Sequence, residues 1–188
     1  MHESFSIVLS DTGVLIALGI PFLLTVLLWA LARLAPPAAP EPGVAAGVSG
    51  LLLAIVFCMC VSAAVQLFYV WADSFEVIRI ISTDSSFAWP AIKTLLPGLA
   101  AAGAEIAAVL LLAFGRSRIT LWLALLGLWI AGPGADAMKS LILGIPFNAH
   151  SGFFGVSIFT IVATLYLLFS RRSASTYGLS RAAKNRAP

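Results

Sequence analysis

Five apolar runs, each near the ~20 residues a helix needs to cross the ~30 Å hydrocarbon core of a bilayer, occupy most of this chain. They extend from Thr12 to Leu34, Val44 to Trp71, Thr94 to Gly115, Ile119 to Phe147 and Phe153 to Ser170. With 188 residues at 61% hydrophobic and 10% charged, the chain holds more apolar surface than one soluble core can bury. Lipid is therefore the expected solvent. The pattern predicts an all-α membrane protein of about five transmembrane helices, one helical domain over 1–172, followed by a basic disordered tail over 173–188. The second and fourth runs exceed the required length, which predicts tilt, kinking or an end projecting past the lipid.

The first run follows Met1 to Asp11, which carries acids and no Lys or Arg, so it lacks the positive n-region of a secretory signal and reads as a mature helix. Pro36, Pro37, Pro40 and Pro42 then predict a short stiff linker, because proline cannot continue a helix.

Charge sets the expected orientation. With the N-terminus outside, Arg33, Arg116, Arg118, Arg171, Arg172, Arg181, Lys184 and Arg186 all fall on the cytoplasmic side, leaving Arg79, Lys93 and Lys139 on or near the outer side. Glu3, Asp11, Asp73, Glu76 and Asp84 lean outward. The aromatic residues fit the same boundaries: Tyr69, Trp71 and Trp89 at the outer headgroups, Trp29 and Trp122 at the inner ones. An N-out, C-in protein of the bacterial inner (cytoplasmic) membrane is the expectation. The outer loop, Ala72 to Lys93, holds the apolar stretch Phe75 to Ile81 with Glu76 and Arg79 three apart, which suggests a short interfacial segment. Ser82 to Ser86 supplies turn and cap side chains after it. The tail, rich in bases and free of acids, is expected to lie near anionic lipid, and nothing beside it suggests nucleic acid.

Few residues could carry chemistry. Glu105 lies halfway along the third run, where a charged side chain costs roughly 2.5–3.5 kcal/mol on insertion scales, so it must face protein or water, and a neutral carboxyl is its expected resting form. It is either an interhelical hydrogen-bond clamp, aided by the Gly and Ala around it, or a proton or cation carrier. In the fourth run, Gly132, Pro133 and Gly134 break or kink the helix, and Asp136 and Lys139 follow at i and i+3, able to neutralise each other. Gln66, Asn148 and His150 fall at similar depth. Together these residues could line an outward-facing polar cavity with Glu105 at its floor; the alternative is that Asp136 and Lys139 mark the wet end of an overlong helix.

Cys58 and Cys60 point roughly 200° apart on a helix and cannot share a metal, while His2 and His150 have no partner ligands nearby. No metal, cofactor or catalytic residue is expected. No nucleophile elbow, zinc motif or phosphate loop occurs, which argues against an enzyme.

From about Gly47 to Arg172 the order of features resembles a bacterial family of four-span inner-membrane proteins, known as a domain of unknown function. The matching marks are Leu67, Phe68 and Tyr69 closing a span, Trp89 in the outer loop and Glu105 in the next span. Arg116 to Arg118 in the cytoplasmic turn, Tyr166 to Leu168 and Ser170 to Arg172 complete them. The extra first span and the Gly132 to Gly134 break depart from that pattern. The resemblance implies a multi-pass membrane fold and lends no activity.

By subtraction, the leading expectation is an accessory subunit or an assembly or protection factor of a membrane complex, packing against a membrane-protein partner or a second copy of itself. The alternatives are a proton-coupled carrier or channel using Glu105, and a protein that handles lipid at the outer leaflet beside the helix break.

Overall fold

The computed structural model describes residues 11–39, 46–144, 146 and 151–179, with side chains from residue 18 onward, Ser151 excepted. Among them are seven α-helices: α1 (Asp11–Ala32), α2 (Leu51–Thr83), α3 (Ala88–Phe114), α4 (Arg118–Ala131), α5 (Pro133–Leu143), α6 (Ser151–Phe169) and α7 (Arg171–Tyr177). Three stretches are long and apolar enough to cross a membrane: Leu51–Thr83, Ser85–Phe114 and Gly152–Phe169. The α4–α5 pair, bent by 55° at its break, makes a fourth when counted as one span. The part of α1 with described side chains, Leu18–Ala32, is an apolar helix.

The outer loop expected over 72–93 is instead mostly helix. No Gly or Pro occurs between Leu51 and Thr83, so nothing stops α2 at Trp71, and it runs on for 33 residues, about 50 Å. The segment expected to lie at the interface is its last turns, where Arg79 pairs with Glu76 across one turn. The Ser82 and Thr83 hydroxyls both donate to the Arg79 carbonyl, and Asp84 turns the chain by accepting from the Ser86 amide at 2.8 Å. That amide contact also holds the exposed Asp84 carboxyl below its ordinary range. A 3₁₀ turn (Ser85–Phe87) leads straight into α3. The result is a long antiparallel hairpin whose arms stay packed past the expected boundary, with Val77 and Ala91 buried there.

The second run also begins later than expected. Gly47 and Gly50 hold φ of 89° and 60°, the left-handed region open to glycine, and they turn the chain before α2 starts at Leu51.

The core sits between α2, α3, α4 and α6. Leu52, Val56 and Met59 of α2 meet Ala108 and Leu112 of α3, Leu121, Leu125 and Leu128 of α4, and Ala163 and Leu167 of α6. Small residues let α3 and α4 approach closely: a Cβ on Gly127 would stand 2.7 Å from the Ala104 carbonyl oxygen and 3.0 Å from the Ala108 Cβ. α1 packs on the α2 side, where Phe22 and Phe57 meet edge to face at 6.4 Å between centroids.

The disordered tail expected from residue 173 is corrected over its first turns. Ser170 caps α7, Gly178 ends it at φ 69°, and Ser173 to Tyr177 are buried. The apolar ring of Tyr177 explains the docking, because it is fully covered and its hydroxyl donates to the Leu112 carbonyl at 2.7 Å, near the C-terminal end of α3. Burial pushes that hydroxyl well above its ordinary range, so it remains a neutral donor. Bases counted above as cytoplasmic charge cap chain ends here. Arg116 donates to the Ala32 carbonyl at the end of α1, Arg118 to Gly178, and Arg172 to Ser49 ahead of α2. Pro36 and Pro37 do sit in irregular chain, and the next residues, Ala38 and Ala39, donate to the Thr176 and Ser175 carbonyls. Pro40, Pro42, Arg181, Lys184 and Arg186 lie outside the described residues.

Two substitutions test this packing. Gly127→Leu forces α3 and α4 apart and should lower stability by about 1–3 kcal/mol. Tyr177→Phe keeps the ring but leaves the Leu112 carbonyl unpaired, for a loss of about 1–3 kcal/mol. Both are read as a fall in thermal midpoint of the detergent-solubilised protein.

Candidate functional site

Glu105 lies about two-thirds of the way along α3 and is 3% exposed. Its setting follows from the small residues around it. Ala101, Ala102 and Ala108 are buried at its side of α3, so α2 comes close enough for its polar stripe to reach the carboxyl. The Ser62 hydroxyl donates to Glu105 Oε2 at 3.0 Å, and the Gln66 amide donates to the same oxygen at 2.7 Å. The Gln66 amide also stands 3.4 Å from the Ser62 hydroxyl oxygen, tying the two donors together one turn apart. Both bonds fall on Oε2. Among the described residues no hydrogen bond reaches Oε1, and the Gln66 Oε1 acceptor is buried without a partner.

Beside this triad is a cavity of about 670 Å³ between α2, α3, the α4–α5 break and α6. Its polar lining includes Ser62, Gln66 and Asp73 from α2, Glu105 from α3, Asp136 and Lys139 from α5, and Thr160 from α6. Val70, Leu95, Pro97, Val156 and Phe159 supply apolar wall. The lining runs from Glu105, well inside α3, to Asp73, Thr94 and Lys139 near the hairpin end of the molecule. At about 670 Å³ the space falls in the ~300–1,000 Å³ range of small-molecule sites.

The helix break shapes one wall. Gly132 closes α4 by donating to the Leu128 carbonyl, and Pro133, whose missing N–H would be unpaired in any first turn, starts α5. The resulting 55° bend carries Asp136 and Lys139 to the cavity. Lys139 Nζ stands 3.4 Å from Asp136 Oδ1, with side chains 55% and 26% exposed. Gly132 is needed for this fit, since a Cβ there would meet the Thr160 hydroxyl at 2.6 Å. Thr160 is fully buried and its hydroxyl has no partner among the described residues. The Trp129 indole donates to Thr164 at 3.1 Å and ties α4 to α6 just before the break.

Gln66, Glu105, Asp136 and Lys139, singled out from the sequence, therefore line one cavity, and Gly132 is in its wall. Asn148, His150 and His2 lie outside the described residues. Cys58 lines the cavity and is exposed, whereas Cys60 is buried. Ser62, Asp73 and Thr160 were not anticipated. A signal for the first two existed: Ser62, Gln66, Tyr69 and Asp73 recur at i, i+4, i+7 and i+11, a polar stripe on an apolar helix. Thr160 has no such signal, because threonine among apolar residues of a spanning helix usually bonds its own backbone. Among the described residues no three His, Cys, Asp or Glu side chains converge as metal ligands. Comparison of the chain with protein families, curated proteins and solved structures finds no match.

The Asp136–Lys139 pair yields a charge-exchange test. Asp136→Ala and Lys139→Ala should each lower the thermal midpoint, and the exchanged pair Asp136→Lys, Lys139→Asp should restore most of the loss. A double alanine loss equal to the sum of the two single losses, without recovery on exchange, would remove the pairing.

Proposed function

We propose that this chain is a multi-pass protein of the bacterial inner membrane that carries a small solute through the cavity beside Glu105, coupled to a proton held on that carboxyl. One observation carries the reading: a buried carboxyl well inside α3 faces both two donors of a neighbouring helix and a cavity large enough for a small molecule. A carboxyl that only clamps two helices needs no cavity. An accessory subunit or protection factor would use the small-residue faces and the exposed apolar helices this chain has, and would have no need of a polar chamber.

In this reading Glu105 alternates between a neutral form and a carboxylate. Ser62 and Gln66 hold Oε2, and Oε1 takes and releases the proton. Asp73, Asp136, Lys139, Cys58 and Tyr69 are the other titratable groups around the same space. In the α5 wall of the same space, Lys139 stands as the counter-charge of Asp136. The α4–α5 joint at Gly132 is the element that moves, because bent and interrupted helices supply the gates of many transporters.

The topology that goes with it has five spans, with α1 one of them and the bent α4–α5 pair counted once. Arg33, Arg116, Arg118, Arg171 and Arg172 gather at the α7 end, and Asp73, Glu76 and Asp84 at the hairpin end, which supports N-out and C-in.

Proteoliposomes loaded with a fluorescent pH dye test the carrier. Cationic, anionic and neutral solute pools are added outside in turn, and internal pH is followed. One pool should evoke proton movement in the wild-type protein, and Glu105→Gln, eluting from gel filtration unchanged, should slow it by about a hundredfold. No movement with any pool, or a Glu105→Gln variant that loses only thermal stability, sinks the reading. For topology, the background is Cys58→Ala, Cys60→Ala: Ser86→Cys should react with an impermeant maleimide in intact cells, and Ser117→Cys only after permeabilisation.

A further inference from the structure

Resting on the carrier reading above, we propose that the solute is an organic cation, a protonated amine with an apolar body. Three features of the cavity converge on that chemistry.

The first is charge. The cavity is lined by three carboxyl groups, Asp73, Glu105 and Asp136, against the single ammonium of Lys139. Lys139 is already paired with Asp136 at 3.4 Å, which leaves Asp73 and Glu105 without a cation along the lining. An anion entering there would meet two unbalanced carboxyl groups, whereas a cation supplies what the lining lacks.

The second is hydrogen-bond polarity. The amide of Gln66 is oriented by its donation to Glu105, which turns its Oε1 away as a buried oxygen that can only accept. The Thr160 hydroxyl, fully buried in the α6 wall, is also without a partner and can either accept or donate. A buried acceptor left unpaired costs about 1–3 kcal/mol, so at Gln66 Oε1 a ligand that donates an N–H bond gains where a ligand of acceptors gains nothing. A quaternary ammonium would balance the charge yet leave the Gln66 oxygen unpaired. A protonated amine does both.

The third is the wall. Val70, Leu95, Pro97, Val156 and Phe159 give the cavity an apolar lining around the polar face, and about 670 Å³ accommodates a ring system larger than the charged head alone. A small inorganic cation would leave most of that space unfilled.

The test uses three probes of one shape and different charge: naphthylmethylammonium, naphthoate and naphthylmethanol. Binding to the detergent-solubilised full chain is measured by equilibrium dialysis against empty micelles. Saturable binding of the ammonium alone is expected. Glu105→Gln and Asp136→Asn should each weaken it by about tenfold or more, while Arg79→Gln, on the distant hairpin, leaves it unchanged. Asp136→Asn keeps the test usable should Glu105→Gln fail to fold. Naphthoate binding as well as the ammonium, ammonium binding unchanged in both cavity variants, or no saturable binding of any probe overturns the proposal. The two proposals fail separately. Proton movement evoked only by an anionic or neutral pool, and lost in Glu105→Gln, leaves the carrier and removes the cation; ammonium binding without any proton movement leaves the site and removes the transport.

Discussion

A carboxyl in the middle of an apolar helix is tolerable only if other polar groups face it, and much of this architecture follows from meeting that requirement at Glu105. The donors must come from a neighbouring helix, since a helix's own backbone is already paired. That calls for close approach, which the alanines of α3 permit, and for a polar stripe on α2, which Ser62 and Gln66 supply. The same closeness recurs on the other side of α3, where Gly127 meets Ala104. α3 is thus the shared member of two tight helix pairs, and α5 and α6 complete the cavity around its polar face.

The helical architecture was legible because length and hydropathy alone mark a spanning helix. Boundaries were less so. α2 continues through Thr83 because a chain without Gly or Pro keeps its helix as long as a partner covers it, and the partner, the start of α3, is visible only once the hairpin is folded. The same holds for Ser173 to Tyr177: their composition reads as tail, and only the groove near Leu112 turns them into buried structure. The break at Gly132 and Pro133 was legible because proline and glycine act locally, on their own backbone.

The site divides along the same line. Ionisable residues in apolar runs stand out whatever surrounds them, so Glu105, Asp136 and Lys139 were visible in the sequence. That they share one cavity depends on the 55° bend, whose size and direction no local pattern encodes. Thr160 matters through an orphaned hydroxyl, and a missing partner is a property of the folded chain alone.

The C-terminal helix has an implication for assembly. α7 and the residues beside it tie together Ala38, Gly47, Ser49 and Leu112, positions that leave the ribosome long before it does. Until α7 has been made, the carbonyls of Ser49 and Leu112 and the amides of Ala38, Ala39 and Gly47 lack the partners they have in the finished fold. That end of the bundle therefore closes only once α7 has been made, later in synthesis than the helices it ties. A nascent chain stalled before Arg171 would carry the cavity residues yet lack the latch, which gives a membrane quality-control system a clear difference between unfinished and finished copies.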